Sequence, residues 1–136
     1  MNELDELSFK LASNGDMISI TIKSITSDDW LESYVEIKAG AFRGNYKAAF
    51  MLYDFRVFRD SLKLIYNDLN GVAKFVSLEK QLEIEIRGDG FGHLIADGIA
   101  MEQVGYGNEL RFQLNLDQTY IPALVNQLDD IIEHLS

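Results

Sequence analysis

His93 is the strongest candidate for acid–base chemistry in this chain, which contains two histidines. Asp89 lies four residues before it across a glycine-rich turn, and Asp97 lies four residues after it on the same face of a predicted strand. A catalytic base needs an orienting carboxylate within hydrogen-bonding distance, whereas residues i and i+4 of a strand are about 13 Å apart. A hydrogen bond that fixes the turn is therefore the favoured role for His93. Contact with a binding partner, or catalysis with a carboxylate from a neighbouring strand, stays open.

The segment 117–120 is the second place where polar side chains gather. Asp117 and Thr119 precede a predicted terminal helix, whose first backbone N–H groups lack partners within the helix. Carboxylate and hydroxyl oxygens accept hydrogen bonds from such groups, so we predict that Asp117 or Thr119 caps the helix. Gln118 and Tyr120 are candidates for a hydrogen bond back to the end of a strand.

Other kinds of reactive site are not predicted. The glycine-rich segment 88–92 precedes a strand rather than a helix and is not followed by Lys-Ser/Thr, so it lacks the pattern of a phosphate-binding loop. The chain has only two histidines and no cysteine, which are the usual zinc ligands, so a zinc site is not predicted. The acidic pairs 28–29 and 129–130 are adjacent in sequence and do not converge as a glycosidase pair does. We therefore predict no catalytic residue, no metal and no cofactor.

A protein-binding surface is the remaining candidate. Glu32, Tyr34 and Glu36 alternate with apolar residues, which puts them together on the outer face of a predicted strand. Asp28 and Asp29 immediately precede that strand. An acidic face with one aromatic side chain suits a basic protein partner, and an ordinary solvated strand face is the alternative.

Trp30 begins the same strand and has two alternative roles. Tryptophan is enriched among the residues that contribute most to protein–protein binding. It is also a common plug at the end of a strand, where it completes a hydrophobic core, and we favour that role.

The elements that must position these residues follow from the spacing of apolar side chains. Alternating residues predict strands and a 3.6-residue period predicts helices. Asp54 is the predicted N-cap of the first helix, and Asn70-Gly71 its stop. The pattern predicts an α+β fold: a mostly antiparallel sheet of about eight strands, with one central and one C-terminal amphipathic helix packed on it. The strands are expected at about 7–11, 18–22, 31–39, 46–50, 72–76, 81–86, 93–101 and 109–116, and the helices at about 52–69 and 121–135.

Charge and length restrict the classes of protein further. At 136 residues the chain is predicted to form a single domain, 1–136. Its net charge of −10 argues against nucleic-acid binding, which requires a basic surface. The charge is uneven, because residues 38–80 hold 8 bases and 4 acids while the segments on either side are acidic. Solubility is one explanation of the acidity, and electrostatic steering of a basic partner is the other. The chain has no cysteine, which fits a reducing cytosol. Its acidic N-terminus lacks the apolar segment of a signal peptide, and no apolar run reaches the length of a membrane span. A cytoplasmic location is therefore expected.

Three short motifs carry a resemblance to a known family. Gly92-His93 opens a strand, the segment Asp117-Gln118-Thr119-Tyr120 precedes the terminal helix, and Asp29-Trp30-Leu31 leads into another strand. In these features, over about residues 28 to 135, the chain resembles the WapI family of bacterial immunity proteins.

The resemblance implies a function that the residues alone do not indicate. Members of this family are small cytoplasmic proteins, encoded beside toxins used in contact-dependent competition, and are thought to bind and neutralise a toxin domain. The resemblance implies a non-enzymatic binding protein with a protein partner such as a basic toxin domain. Two other functions stay open: a structural or assembly module that forms a homo-oligomer such as a dimer through a sheet edge, and an enzyme with a site around His93.

Overall fold

A computed structural model of the chain describes residues 7–136. Residues 1–6 of the predicted domain lie outside the described residues. The described part contains eight strands, two long helices and a short 3-10 turn at Gln118–Tyr120. The elements are β1 (Ser8–Ser13), β2 (Asp16–Ile25), β3 (Leu31–Ala39), β4 (Phe42–Phe50), α1 (Leu52–Asp68), β5 (Asn70–Val76), β6 (Leu82–Asp89), β7 (His93–Gln103), β8 (Tyr106–Asp117) and α2 (Ile121–Leu135).

The strands form two antiparallel sheets of four strands each. The first sheet has the order β1-β2-β3-β4 and the second has the order β5-β6-β7-β8. Each sheet is thus a simple meander, and each is followed in the chain by one helix. The predicted α+β class, with mostly antiparallel strands and two amphipathic helices, is confirmed. The repetition of four strands and a helix is visible only in the topology, since the sequence has no detectable internal repeat.

The two sheets and α1 meet in an aromatic cluster. Phe55 and Phe58 of α1 pack against Phe75 of β5, with ring centroids 5.2 and 5.7 Å apart. Phe50 of β4 lies 5.3 Å from Phe75, and Phe9 of β1 lies 5.9 Å from Phe58. Each of these rings is at least 99% buried. Elements from both halves of the chain therefore share one hydrophobic core.

Gln81, just before β6, joins the two sheets by hydrogen bonds. Its side-chain Nε2 donates to the carbonyl of Lys47 in β4 at 3.2 Å and to that of Glu102 in β7 at 3.4 Å. Its own carbonyl accepts from the Tyr46 hydroxyl at 2.6 Å and from the Met101 N–H at 2.9 Å. Burial raises the pKa of Tyr46 well above its ordinary value, so the hydroxyl stays a hydrogen-bond donor.

The edge of the first sheet at β1 is covered by α2. The side-chain amide of Gln127 accepts from the Lys10 N–H at 2.7 Å and donates to the Lys10 carbonyl at 3.1 Å. At Lys10 this amide side chain takes the place of a neighbouring strand, and the hydrogen-bonding groups that it occupies cannot pair with another chain. The Ser13 hydroxyl also donates to the Asn115 carbonyl of β8 at 2.5 Å.

The start of α1 differs from the prediction. Met51, not Asp54, is the N-cap, and Asp54 is the third residue of the helix. The Oδ2 atom of Asp54 accepts from the Met51 N–H at 2.8 Å, so its carboxylate still satisfies a backbone donor at the helix start. The prediction placed the cap too late because β4 continues to Phe50, and the chain enters the helix directly after it.

Candidate functional site

His93 lies at the start of β7, in a turn held by Asp89. The Asp89 Oδ1 atom accepts from the backbone N–H groups of Phe91 at 2.7 Å and of His93 at 3.2 Å. The His93 side chain is exposed, and its nearest cross-strand neighbour is Asp117 of β8. The turn is thus fixed through the backbone of His93 and the carboxylate of Asp89.

Asp117 caps the short 3-10 turn that precedes α2. Its Oδ1 atom accepts from the Thr119 N–H at 2.8 Å and also from the Thr119 hydroxyl. These hydrogen bonds, with a smaller contribution from His93, lower the pKa of Asp117 below its ordinary value. The Gln118 N–H donates to the Gly92 carbonyl at 2.9 Å, which ties the turn to the start of β7. Tyr120 is half-buried against the core.

Asp97, the second carboxylate near His93 in sequence, has other partners. Its Oδ2 atom lies 2.5 Å from Nη2 of Arg87, and its Oδ1 atom accepts from Gln113 at 2.8 Å. Arg87 also lies 3.6 Å from Glu85. These contacts form a polar network across the outer face of the second sheet, so Asp97 serves that network rather than orienting the His93 ring. Within residues 7–136, no three or more His, Asp or Glu side chains are grouped so that they could hold a metal ion.

The outer face of the first sheet, meaning the side of β1–β4 that points away from the core, carries the predicted protein-binding residues. Along β3 the buried side chains alternate with Glu32, Tyr34 and Glu36, of which the two glutamates are exposed and the tyrosine is half-buried. The structure therefore places these three side chains on one face.

The turn between β2 and β3 positions the other predicted binding residues. Thr26 holds this turn, since its hydroxyl accepts from the Trp30 N–H at 3.0 Å and its carbonyl accepts from the Asp29 N–H at 3.1 Å. Asp29 has a φ of 64°, in the left-handed region where Asp is tolerated better than most residues. Asp28 and Asp29 are exposed, and Trp30 is half-buried.

Basic residues from neighbouring strands change the charge of this face. Lys47 of β4 lies opposite Tyr34, and Arg43 lies opposite Lys38. The alternation along β3 alone predicts an acidic face. Across the whole outer face, bases outnumber the two glutamates of β3: Lys10, Lys23, Lys38, Arg43 and Lys47.

A recess of about 620 Å3 opens beside Tyr34. It crosses the outer face of β3 and the edge strand β4 as far as Gln81, which precedes β6 and donates to the Lys47 carbonyl of β4. Glu32 at its rim accepts from the Ser24 hydroxyl at 2.8 Å. The basic and small residues here are not evident from the sequence, because only strand pairing brings them together. We name this the Tyr34 recess; it is lined by Lys23, Glu32, Ser33, Tyr34, Lys47, Ala48, Ala49 and Gln81.

Neither helix of the described part is long and apolar enough to cross a membrane.

Comparison with known proteins identifies the family. No curated protein matches the chain. The sequence profile of the immunity protein WapI-like family matches residues 5–136, which is nearly the whole chain and includes every motif that carried the resemblance. The chain therefore belongs to the WapI-like immunity protein family.

Proposed function

We propose that this chain is a non-enzymatic immunity protein that acts in the cytoplasm, where it binds a partner toxin and neutralises it. Membership of the WapI-like immunity family over residues 5–136 is the observation that carries this proposal. The site geometry is consistent with binding rather than catalysis, since Asp89 and Asp97 each have structural partners and neither orients the His93 ring.

We place the toxin contact on the outer face of the first sheet and the adjoining β2–β3 turn. The contact residues are Asp28, Asp29, Glu32, Tyr34 and Glu36. Four are exposed carboxylates and one is a half-buried aromatic side chain, on a sheet face that no described helix covers. Tyrosine is enriched at protein–protein interfaces, and the rim around their buried centre is polar.

Co-expression with the product of the adjacent gene tests the function. We expect that product to stop bacterial growth when expressed alone, and this chain to restore growth and to co-purify with it. A toxin that stops growth despite this chain, or a neighbouring product that harms no cell, would contradict the proposal.

A titration separates binding from enzymatic inactivation. An occluding protein should abolish toxin activity at about one molecule per toxin molecule and release active toxin after denaturation and separation. Complete inactivation by a small fraction of one equivalent would instead show that the chain turns over the toxin as a substrate, and would overturn the non-enzymatic part of the proposal.

A second candidate, assembly with another copy of the chain, is favoured by one feature of α1. Tyr53, Val57 and Leu64 lie on its outward side and are 70%, 39% and 64% exposed. Spacings of four and seven residues align them along one stripe of the helix. If this stripe forms a dimer, light scattering should give twice the monomer mass and Leu64→Glu should restore the monomer. A monomeric wild-type chain at high concentration excludes this candidate.

A further inference from the structure

We propose that the Tyr34 recess receives a carboxylate side chain of the toxin, held between Lys23 and Lys47. The inference rests on the proposed function and goes beyond it, because it names the chemical group that the partner must present. It also adds to the expectation of a basic partner, since the recess calls for an acidic group at this point of the interface.

A β-bulge brings the first lysine to the recess. Ile22 pairs with Ser33 and Ser24 pairs with Glu32, so Lys23 is an extra residue in β2. A bulge of this kind re-aims a side chain relative to the regular alternation. Lys23 consequently lines the same recess as Glu32, and the next residue, Ser24, lies on that side too, since its hydroxyl donates to Glu32. Strict alternation would put Lys23 and Ser24 on opposite sides of the sheet.

Small side chains open the recess beside the second lysine. Ala49 lies directly opposite Glu32, and Lys47 lies directly opposite Tyr34. With only a methyl group at Ala49, the space between the Tyr34 ring and the end of β4 stays open to solvent. The lining of the recess thus combines one aromatic side chain, two alanines and two lysines, which suits a partner side chain with an apolar stem that ends in a carboxylate.

The pairing of charges distinguishes these lysines from the bases of the second sheet. On the second sheet Lys74, Arg87 and Arg111 each have a carboxylate within 4 Å. Lys23 and Lys47 form no ion pair with any residue between 7 and 136. Covering an ammonium group without an opposite charge is unfavourable, so a partner that docks here must supply one.

A protein carboxylate fits this site better than a nucleic-acid phosphate. Although bases outnumber acids on this face, Glu32 and Glu36 interrupt them, and the whole chain carries a net charge of −10, so a continuous polyanion would be repelled. A single carboxylate within an otherwise uncharged or basic protein surface would pair with the lysines and leave the neighbouring glutamates free to meet partner cations.

Two substitutions in the recess and one matched control test the inference. Lys47→Glu reverses one charge of the recess, and Ala49→Leu fills its floor while leaving every charge unchanged. Lys63→Glu makes the same change in net charge on the exposed side of α1. The toxin domain encoded by the adjacent gene is the probe, and its dissociation constant is measured by calorimetry for each variant and for the wild-type chain, after melting curves show that each variant folds.

We expect Lys47→Glu and Ala49→Leu each to weaken binding at least tenfold, and Lys63→Glu to change it by less than threefold. An Asp or Glu to Lys change in the toxin that restores binding to Lys47→Glu would identify the carboxylate. If the wild-type chain binds but neither recess variant weakens binding, the inference is wrong and the proposed function stands. Wild-type binding to single-stranded RNA that Lys47→Glu abolishes would also overturn it. If the wild-type chain does not bind the toxin at all, the proposed function fails first.

Discussion

Gln81 shows how much one side chain can contribute to joining two sheets. The residue is 94% buried and makes hydrogen bonds to both β4 and β7. Nothing in its sequence context indicates this role, because its partners lie 34 and 21 residues away. Its polar neighbours would each lose a partner if the amide were removed, and buried polar groups without partners are costly.

Replacing Gln81 with alanine is therefore expected to lower the free energy of unfolding by about 1–3 kcal/mol. Urea denaturation followed by circular dichroism measures the change. Gln103→Ala is the matched control, since Gln103 is exposed, and it should change stability by less than about 0.5 kcal/mol. Equal stability of the two variants would show that the Gln81 amide does not hold the sheets together.

Asp117 gives a prediction about pH at the same scale. The hydrogen bonds from Thr119 lower its pKa in the folded protein, so the carboxylate stabilises the fold when ionised. That contribution is complete above the ordinary pKa of an aspartate, about 3.9, and is lost as the pH falls through the lowered pKa of the folded state. The difference in stability between the wild-type chain and Asp117→Ala should accordingly shrink in acid. A difference that grows as the pH falls below 4 would contradict the cap.

At the scale of the element, packing rather than turn geometry explains why β7 has a glycine at position 98. A Cβ atom at Gly98 would lie 2.2 Å from the Phe112 ring of β8, its cross-strand neighbour. The ring covers the glycine, which is a common way for a sheet to use a residue that is otherwise weak in strands. The sequence shows only a glycine within a strand, which is equally compatible with a β-bulge and with the close approach of a neighbouring side chain.

Gly98→Ala should consequently destabilise the protein by about 1–3 kcal/mol, as overpacking does. Gly44→Ala is the control, because a Cβ atom at Gly44 meets no atom within 4 Å and its φ is not positive. Thermal melts of the two variants compare them directly. If Gly98→Ala melts at the wild-type temperature, the ring moves aside at little cost and the packing argument fails.

At the scale of the whole molecule, the two halves have the same order of elements but depend on each other for their cores. Phe75 of the second half packs against Phe50, Phe55 and Phe58 of the first. Arg59 of α1 lies 3.1 Å from Asp129 of α2. Ion pairs that are open to solvent contribute little to stability, so this pair adds little to the association of the two halves. The shared aromatic cluster joins the two meanders into one hydrophobic core.

Residues 70–136 expressed alone are therefore not expected to fold. Without α1 and β4, the ring of Phe75 and the apolar side of α2 would be exposed, and a small fragment cannot compensate for such losses. Near-ultraviolet circular dichroism and a thermal melt should show no cooperative transition for the fragment, in contrast to the full chain. A cooperative melt of the fragment would mean that the second half is an independent unit.

The sequence by itself determined the elements, the fold class and the family. Alternation and helical periodicity are local patterns, so they placed Glu32, Tyr34 and Glu36 on one face of β3 and indicated both helices. Only the tertiary structure decided the separation into two sheets and what lies beside that face. Lys23 and Lys47 reach the Tyr34 recess through strand register and a bulge, and Gln81 reaches it from the other sheet. Register depends on contacts between distant segments, which no local pattern encodes.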